Sequence, residues 1–203
     1  MPDLTANPSR RRLFLAAAAL PVASLFTSCQ SPRRRTDDDG PAPTLEQTEG
    51  PFYRLMSPAR PTLREDGMTG TPLVLSGRVV DRRGKPLANA LLDFWQCDEK
   101  GIYDTRGFRL RGHQMTDGDG RYRLDTIVPG LYPGRTRHIH VKLQPSGDDV
   151  PATPTMLNLT TQVYFPDEAR NDKDDIFDPS LLVAMDRDGE RQIARYDFVL
   201  DLG

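Results

Sequence analysis

The sequence predicts an all-β fold, a β-sandwich or a barrel, for residues 44–203. Short runs in which apolar and polar residues alternate are separated by turn-forming residues, and no long stripe of helical periodicity appears. Six runs are predicted as strands: residues 73–80, 90–96, 121–127, 138–144, 157–165 and 192–201.

The register of the last predicted strand follows from its alternation. Successive side chains on a strand point to opposite faces. We therefore expect one set of residues to face the core, namely Ala194, Tyr196, Phe198 and Leu200. The other set is expected to face water and comprises Arg195, Asp197 and Asp201.

Two glycine-containing segments are predicted to close hairpins. Residues 81–86 contain Gly84, and residues 117–120 contain Gly120. Glycine adopts the positive φ angles that tight turns need.

Length and charge limit the number of domains and the kinds of partner. The 203 residues suit one domain with an additional end, and 27 basic residues against 29 acidic ones leave the chain nearly neutral. No basic stripe is present, so nucleic acid is not expected as a partner. The two cysteines, Cys29 and Cys97, fall in different parts of the chain, so a structural disulfide is not expected.

The N-terminal residues 1–30 are predicted to be a twin-arginine export signal. Residues 10–12 are all arginine, and the apolar run at residues 13–26 is too short for a comfortable membrane-spanning helix. A buried amphipathic helix is the disfavoured alternative, because the run is apolar on every side. We expect an exported, periplasmic or extracytoplasmic protein with no transmembrane segment in its mature form.

The region after the apolar run is predicted to be a tether. Cys29 lies in a context that loosely resembles a lipoprotein processing site, which leaves two fates open, a lipid anchor at Cys29 or its removal. Residues 31–43 are rich in proline, arginine and aspartate and are predicted to be a flexible, disordered linker.

The candidate chemistry begins with a pair of histidines on one predicted strand. His138 and His140 are two residues apart, so their side chains share a face while Ile139 packs on the other. This spacing suits a metal site, but taken alone it fits a solvated strand face equally well.

Two tyrosines and several flanking segments extend this pattern. Tyr132 lies in a proline- and glycine-rich loop, and Tyr103 follows the Asp-Phe-Trp-Gln segment at residues 93–96. With residues 48–53, 75–79, 129–140 and 160–165, they resemble the intradiol ring-cleavage dioxygenases, which include catechol 1,2-dioxygenases and protocatechuate 3,4-dioxygenase beta chains.

The resemblance implies an oxidoreductase of aromatic compound catabolism that uses Fe(III), molecular oxygen and a catechol-type substrate, on the mixed β-sandwich core of that family. The implied iron ligands are Tyr103, Tyr132, His138 and His140. Cleavage between the two hydroxyl-bearing carbons would give a diacid of the cis,cis-muconate type. Tyr132 would leave the metal when substrate binds, and Arg135 and Gln162 would assist catalysis.

The ligand chemistry agrees with this implication. Ferric iron is a hard acid that favours anionic oxygen and can deprotonate a tyrosine. The sequence departs from the family pattern in the short, continuous segment from Tyr132 to Arg135, which predicts an open site that tolerates substituted catechols.

Two other protein classes remain as alternatives. A metal-free binding module of the transthyretin or carboxypeptidase regulatory type would suit the strand at residues 76–81. A calcium-stabilised domain could use Asp117, Asp119 or the acids at residues 172–178, although these are expected to serve turns. His113 is expected in a loop, and Trp95 and Cys97 in the core.

Overall fold

A computed structural model describes residues 40–145 and 158–203, so the predicted export signal, Cys29 and nearly all of the predicted linker lie outside the described residues. Within the described ranges there are two short 3-10 helices, Asn171–Lys173 and Pro179–Leu181. The nine strands found there are β1 Pro72–Asp81, β2 Leu91–Trp95, β3 Arg111–Met115, β4 Arg121–Ile127, β5 His138–Gln144, β6 Leu159–Tyr164, β7 Ala184–Asp188, β8 Arg191–Arg195 and β9 Phe198–Leu200. None of the described helices is long and apolar enough to cross a membrane.

The strands form two sheets. One sheet has the order β3-β2-β5-β6, and all of its neighbours are antiparallel. The other has the order β4-β1-β8-β7, with β9 added beside β1. Because β1 pairs in parallel with β8 and β9 but antiparallel with β4, this second sheet is mixed.

A single apolar core joins the two sheets. Strand β5 contributes Ile139, Val141 and Leu143, which are fully buried. They belong to one cluster with β1 residues such as Leu73 and Leu75. This face-to-face packing confirms the predicted mixed β-sandwich.

The six predicted strands are all present, but the structure contains more strands than the sequence indicated. β3 and β7 were not predicted, and the single run at residues 192–201 is two strands, β8 and β9. The predicted facing within that run is confirmed for Ala194, Phe198 and Leu200, which are buried, whereas Tyr196 is half-buried.

The two predicted turns form, and the turn at residues 81–86 closes a short antiparallel bridge between Val80 and Pro86, but neither turn joins two strands of one sheet. Gly84 N donates to Asp81 O, and Gly120 N donates to Asp117 O. Each turn leads from one sheet into the other, since β1 and β2 belong to different sheets, as do β3 and β4.

Candidate metal centre

The candidate site lies on the outer face of the four-stranded sheet, away from the core between the sheets. Because β5 places Ile139 inward, His138 and His140 point outward. Both rings are nonetheless buried, at 2% and 3% exposure. Trp95 on β2 and Gln162 on β6 stand directly opposite His140 in the two neighbouring strands.

Three donor atoms converge on one point at this face. Tyr103 Oη lies 3.1 Å from His138 Nε2, which in turn lies 3.2 Å from His140 Nε2. Two imidazole nitrogens and a phenol oxygen from separate segments therefore meet within contact distance of one another.

The fourth predicted residue, Tyr132, is brought to this cluster by its loop. The rings of Tyr132 and Tyr103 meet edge to face with centroids 5.7 Å apart. Phe52 stacks on Tyr103, with centroids 4.3 Å apart, and meets Tyr132 edge-on. The structure thus brings together all four residues that the sequence analysis singled out.

Two glycines allow the tyrosine loops to approach each other. A Cβ at Gly101, where φ is +80°, would lie 2.3 Å from Leu131 O, and one at Gly130 would lie 2.3 Å from Gly101 N. Asp98 O accepts hydrogen bonds from both Gly101 N and Gly130 N. Only glycine fits this crossing without displacing backbone atoms.

The local contacts make His138 suitable as a ligand through Nε2. Its Nδ1 lies 2.6 Å from Thr136 O, so Nδ1 carries the proton and donates it to that carbonyl. Burial lowers the His138 pKa to about 4, despite the opposing effect of the Thr136 carbonyl. Burial, followed by the neighbouring His138, holds the pKa of His140 well below 6.5. Both rings are neutral near pH 7, as metal binding requires.

The donor set fits a hard, oxidised cation. Burial raises the pKa of the Tyr103 phenol, so this group ionises near neutral pH only if a positive charge is placed beside it. A ferric ion would supply that charge and would match a set of two phenol oxygens and two imidazoles. In the described part of the chain, no group of three or more His, Cys, Asp or Glu side chains offers a competing metal site.

Arg135 lies beside this cluster in a fixed orientation. Its Nη2 donates to Gln162 Oε1 at 2.8 Å and lies 3.3 Å from Tyr164 Oη. Its Nε forms an ion pair with Asp174 at 2.9 Å. Gln162 in turn donates through Nε2 to Thr48 O. Arg135 and Gln162, both predicted, are therefore directly hydrogen-bonded to each other.

Residues 44–53, here called the cover segment, lie over the outer face. Gln47 N donates to Thr160 O at the edge of β6. A Cβ on Gly50, where φ is +69°, would lie 3.5 Å from the Cε1 atom of His140. Phe52 completes the cover by packing on the tyrosines. This segment explains why histidines on an outer sheet face are shielded from water.

Three residues at the site were missed or undervalued by the sequence analysis. Trp95 is buried as expected, but its ring stacks on His140 with centroids 4.8 Å apart. Thr136 was not considered as a site residue, and Asp174 was considered only among the acids of the calcium alternative. The position of Trp95 could have been found from strand alternation once β2 and β5 were known to be neighbours, whereas Asp174 carries no sequence signal.

Other predicted residues have structural roles. Cys97 is free and buried, as expected. His113 lies on strand β3, so its prediction as a loop residue is wrong. Its Nδ1 is 3.1 Å from Ser57 Oγ, which donates to Asp93.

The acids of the calcium alternative serve turns and ion pairs. Asp117 Oδ1 accepts from Asp119 N and Arg121 N, and Asp119 pairs with the Arg121 side chain. Asp178 caps a 3-10 helix by accepting from Ser180 N. These contacts agree with the predicted turn role, but Asp174, in the same acidic stretch, is buried and forms an ion pair with Arg135.

Comparison with known proteins identifies relatives of the same kind. The family model described as Dioxygenase (Dioxygenase_C) matches residues 48–202. The protocatechuate 3,4-dioxygenase beta chain of Burkholderia cepacia is 36% identical over 135 residues, which cover 58% of this chain and 54% of that one. The chain thus spans about half the length of this curated relative.

Two solved structures share the fold. The dioxygenase domain of a dioxygenase and carbohydrate-binding protein fusion from Streptomyces sp. SirexAA-E is 50% identical, with a TM-score of 0.73 over 80% of this chain and 100% of that one. The 3-chlorocatechol 1,2-dioxygenase of Rhodococcus opacus is 28% identical, with a TM-score of 0.69 over 79% of this chain and 73% of that one. Since the family match covers well over half of the sequence and the fold agrees, the chain belongs to the intradiol ring-cleavage dioxygenase family.

Proposed function

We propose that this protein is an intradiol dioxygenase that uses O2 to cleave catechol-type rings between the two hydroxyl-bearing carbons, giving diacids of the cis,cis-muconate type. The observation that carries the proposal is the convergence of Tyr103 Oη, His138 Nε2 and His140 Nε2 within 3.1 and 3.2 Å contacts, with Tyr132 beside them. The metal-free binding module is disfavoured, because such a module would not need neutral, buried imidazoles facing a phenol.

The ligands of the iron would be Tyr103, Tyr132, His138 and His140. When bound, ferric iron supplies a Lewis acid that draws electron density from a chelated catecholate. The protein's part is to fix the tautomer of His138, to hold both imidazoles on one face of β5 and to keep water out with the cover segment.

The two tyrosines are held differently, which suggests different roles. Tyr103 is 6% exposed and lies under the Phe52 ring, so it would stay in place. Tyr132 is half-buried on a loop and can swing away, which would open a position for the substrate. Once released, its phenol oxygen would be available to accept a proton from a substrate hydroxyl group.

Arg135 and Gln162 would act on charge that develops in the substrate. The Arg135 guanidinium is held by Gln162, which stands opposite His140 in the sheet. A fixed cation at this position stabilises negative charge without reorganising during the reaction.

The direct test is a visible spectrum of the full chain purified in air with iron. We expect a tyrosinate-to-iron charge-transfer band that shifts when catechol is added, together with oxygen uptake. Tyr103→Phe keeps the ring that packs on Phe52 but removes one phenol oxygen. Because loss of a partner outside the ligand sphere already costs about 10- to 100-fold in metal affinity, this variant should lose at least roughly tenfold. A colourless, iron-loaded wild-type protein would refute the proposal.

The range of substrates depends on the loop after Tyr132. Gly134 has φ +79°, and no atom lies within 4 Å of the position that a Cβ would occupy. Gly134 is exposed, so this part of the loop places no side chain beside Tyr132, and we propose that substituted catechols are accepted. Comparable kcat/KM values for catechol and for ring-substituted catechols would bear this out, and activity on unsubstituted catechol alone would contradict it.

Export by the twin-arginine route is also proposed, with the chain delivered to an extracytoplasmic compartment. Its support is the arginine triplet at residues 10–12 followed by the apolar run at residues 13–26. Mass spectrometry of the mature protein would show whether Cys29 carries a lipid or is removed with the signal. Retention of residues 1–30 in an unprocessed cytoplasmic protein would contradict export.

A further inference from the structure

Asp174 is a buried carboxylate that has no part in the function proposed above. It lies just after the 3-10 helix Asn171–Lys173, within the acidic stretch that the sequence analysis assigned to turns. Its side chain is 2% exposed, whereas its neighbours Asp172 and Asp175 are exposed. Burying a carboxylate without partners is costly, so its contacts indicate what it does.

The first set of contacts fixes Arg135. Asp174 Oδ2 lies 2.9 Å and Oδ1 lies 3.1 Å from Arg135 Nε. At the opposite end of the guanidinium, Nη2 donates hydrogen bonds to Gln162 Oε1 and Tyr164 Oη. Arg135 is therefore held from two sides. Of these three partners, only Asp174 is charged.

The second set of contacts reaches His138 through the backbone of one residue, Thr136. Asp174 Oδ2 accepts from Thr136 N at 2.7 Å, and the carbonyl of the same residue, Thr136 O, accepts from His138 Nδ1 at 2.6 Å. Thr136 is further tied by its hydroxyl to Asn171 Oδ1, 2.6 Å away. The carboxylate thereby fixes the backbone that sets the His138 tautomer.

We propose that Asp174 is a positioning residue that holds Arg135 and, through Thr136, His138 in their working orientations. This inference rests on the proposed function, because it assigns Arg135 and His138 to the reaction. The acceptor of a metal-bound histidine's second nitrogen strongly affects ligand geometry, and here that acceptor is itself anchored by Asp174.

Two substitutions separate the charge of Asp174 from its hydrogen bonds. In Asp174→Asn, an amide oxygen at the Oδ2 position still accepts from Thr136 N and Arg135 Nε, but the charge is lost, together with the bonds that Oδ1 accepts from Arg135 Nε and Ile176 N. In Asp174→Ala, both the charge and the hydrogen bonds are lost. Asp175→Asn is the matched control, since it removes the same charge from an exposed side chain one residue away.

The first readout is NMR of the full-length chain without added metal, in which iron does not broaden the signals. Wild type and D175N should both show a slowly exchanging Arg135 Nε–H and a downfield His138 Nδ1–H. D174N should retain the His138 signal and shift the Arg135 signal, whereas D174A should lose both.

The second readout is steady-state kinetics and the visible spectrum of the iron-loaded chain. D174N should lower kcat about tenfold, while KM changes less than about threefold, because Arg135 acts on developing charge rather than on substrate binding. Its charge-transfer band before substrate addition should match wild type, whereas the band of D174A should shift as His138 reorients.

The two hypotheses fail in different ways. If wild type is active but D174N and D174A match D175N in both NMR signals and kcat, the role of Asp174 is refuted. If wild type has no ring-cleavage activity, the proposed function is refuted, and the NMR comparison still decides whether Asp174 holds Arg135 and His138.

Discussion

His138 and His140 combine burial with two ring nitrogens that face one another, and the other ring nitrogen of His140, Nδ1, is buried without a hydrogen-bond partner. Their Nε2 atoms are 3.2 Å apart, and only 2% and 3% of the respective residues is exposed. Polar atoms buried in this way usually lower the stability of a fold. Such an arrangement is maintained at sites where a bound group satisfies it.

The metal-free protein should therefore lose stability in mild acid. Burial lowers the His138 pKa to about 4, while the same ring in the unfolded chain titrates near 6.5. Below pH 6.5 the unfolded state binds a proton that the folded state does not, so the free energy of unfolding falls as pH falls towards 4. The loss from His138 alone should be on the order of 3 kcal/mol over this window.

Denaturant titrations of the metal-free chain at several values between pH 8 and 5 would measure this loss. His138→Gln removes one titrating group and should give a shallower dependence on pH than wild type. Equal slopes for the two proteins would show that His138 is not held neutral in the folded state.

At this scale the sequence predicted the metal-binding candidates but not the residues that hold them. His138, His140, Tyr103 and Tyr132 belong to recognisable local motifs, and the structure brings them together. Asp174 is 36 residues from His138 along the chain and follows a polar stretch without periodicity. Its ion pair with Arg135 depends on tertiary packing, which no local sequence pattern indicates.

The elements that carry the site are a rigid sheet and two loops that cross it. Strand β5 fixes the histidines, whereas the tyrosines depend on how closely the loops pack at Gly101 and Gly130. Gly101 and Gly130 are both buried, and backbone contact of this kind leaves no room for a methyl group, so the loop crossing should be sensitive to substitution.

Gly101→Ala should lower the free energy of unfolding by about 2 to 3 kcal/mol, because a methyl group would overlap Leu131 O and because φ is positive. Gly134→Ala is the matched control, since its φ of +79° is nearly the same but its surroundings are open. That variant should cost about 1 kcal/mol. Urea denaturation would compare them, and equal losses would mean that the crossing is not sterically tight.

The strands that the sequence missed were missed for identifiable reasons. β3 and β7 are mostly polar and present few apolar residues in alternation. β8 and β9 form one apolar-polar run in the sequence, but Tyr196 O would lie only 1.8 Å from a Cβ at Gly77. The run is interrupted where Tyr196 approaches Gly77. Gly77 lies on β1, which is more than 100 residues away in the sequence, so the interruption cannot be found from the run itself.

For the molecule as a whole, the four proposed ligands come from separate parts of one sheet and its loops. Tyr103 follows β2, Tyr132 precedes β5, and the histidines lie within β5. A bound ion would therefore connect segments that unfolding separates, and its binding energy would add to the stability of the entire sandwich.

Removal of iron should lower the melting temperature. A site loaded at about 100 times its Kd adds roughly 2.7 kcal/mol, which corresponds to about 5–10 °C for a chain of this size. Differential scanning calorimetry before and after chelation would measure the shift, and Tyr103→Phe should show a smaller one. An unchanged melting temperature on chelation of an iron-loaded sample would place the ion elsewhere.

The cover segment has a consequence for the order in which the molecule matures. Thr44 N donates to Val199 O, and Val199 N donates back to Thr44 Oγ1, both at 2.9 Å. The segment that shields His140 is therefore fastened to a strand made 155 residues later. A nascent chain emerging from the ribosome cannot complete this shield during synthesis, so a stably enclosed ion must be acquired after translation has passed β9.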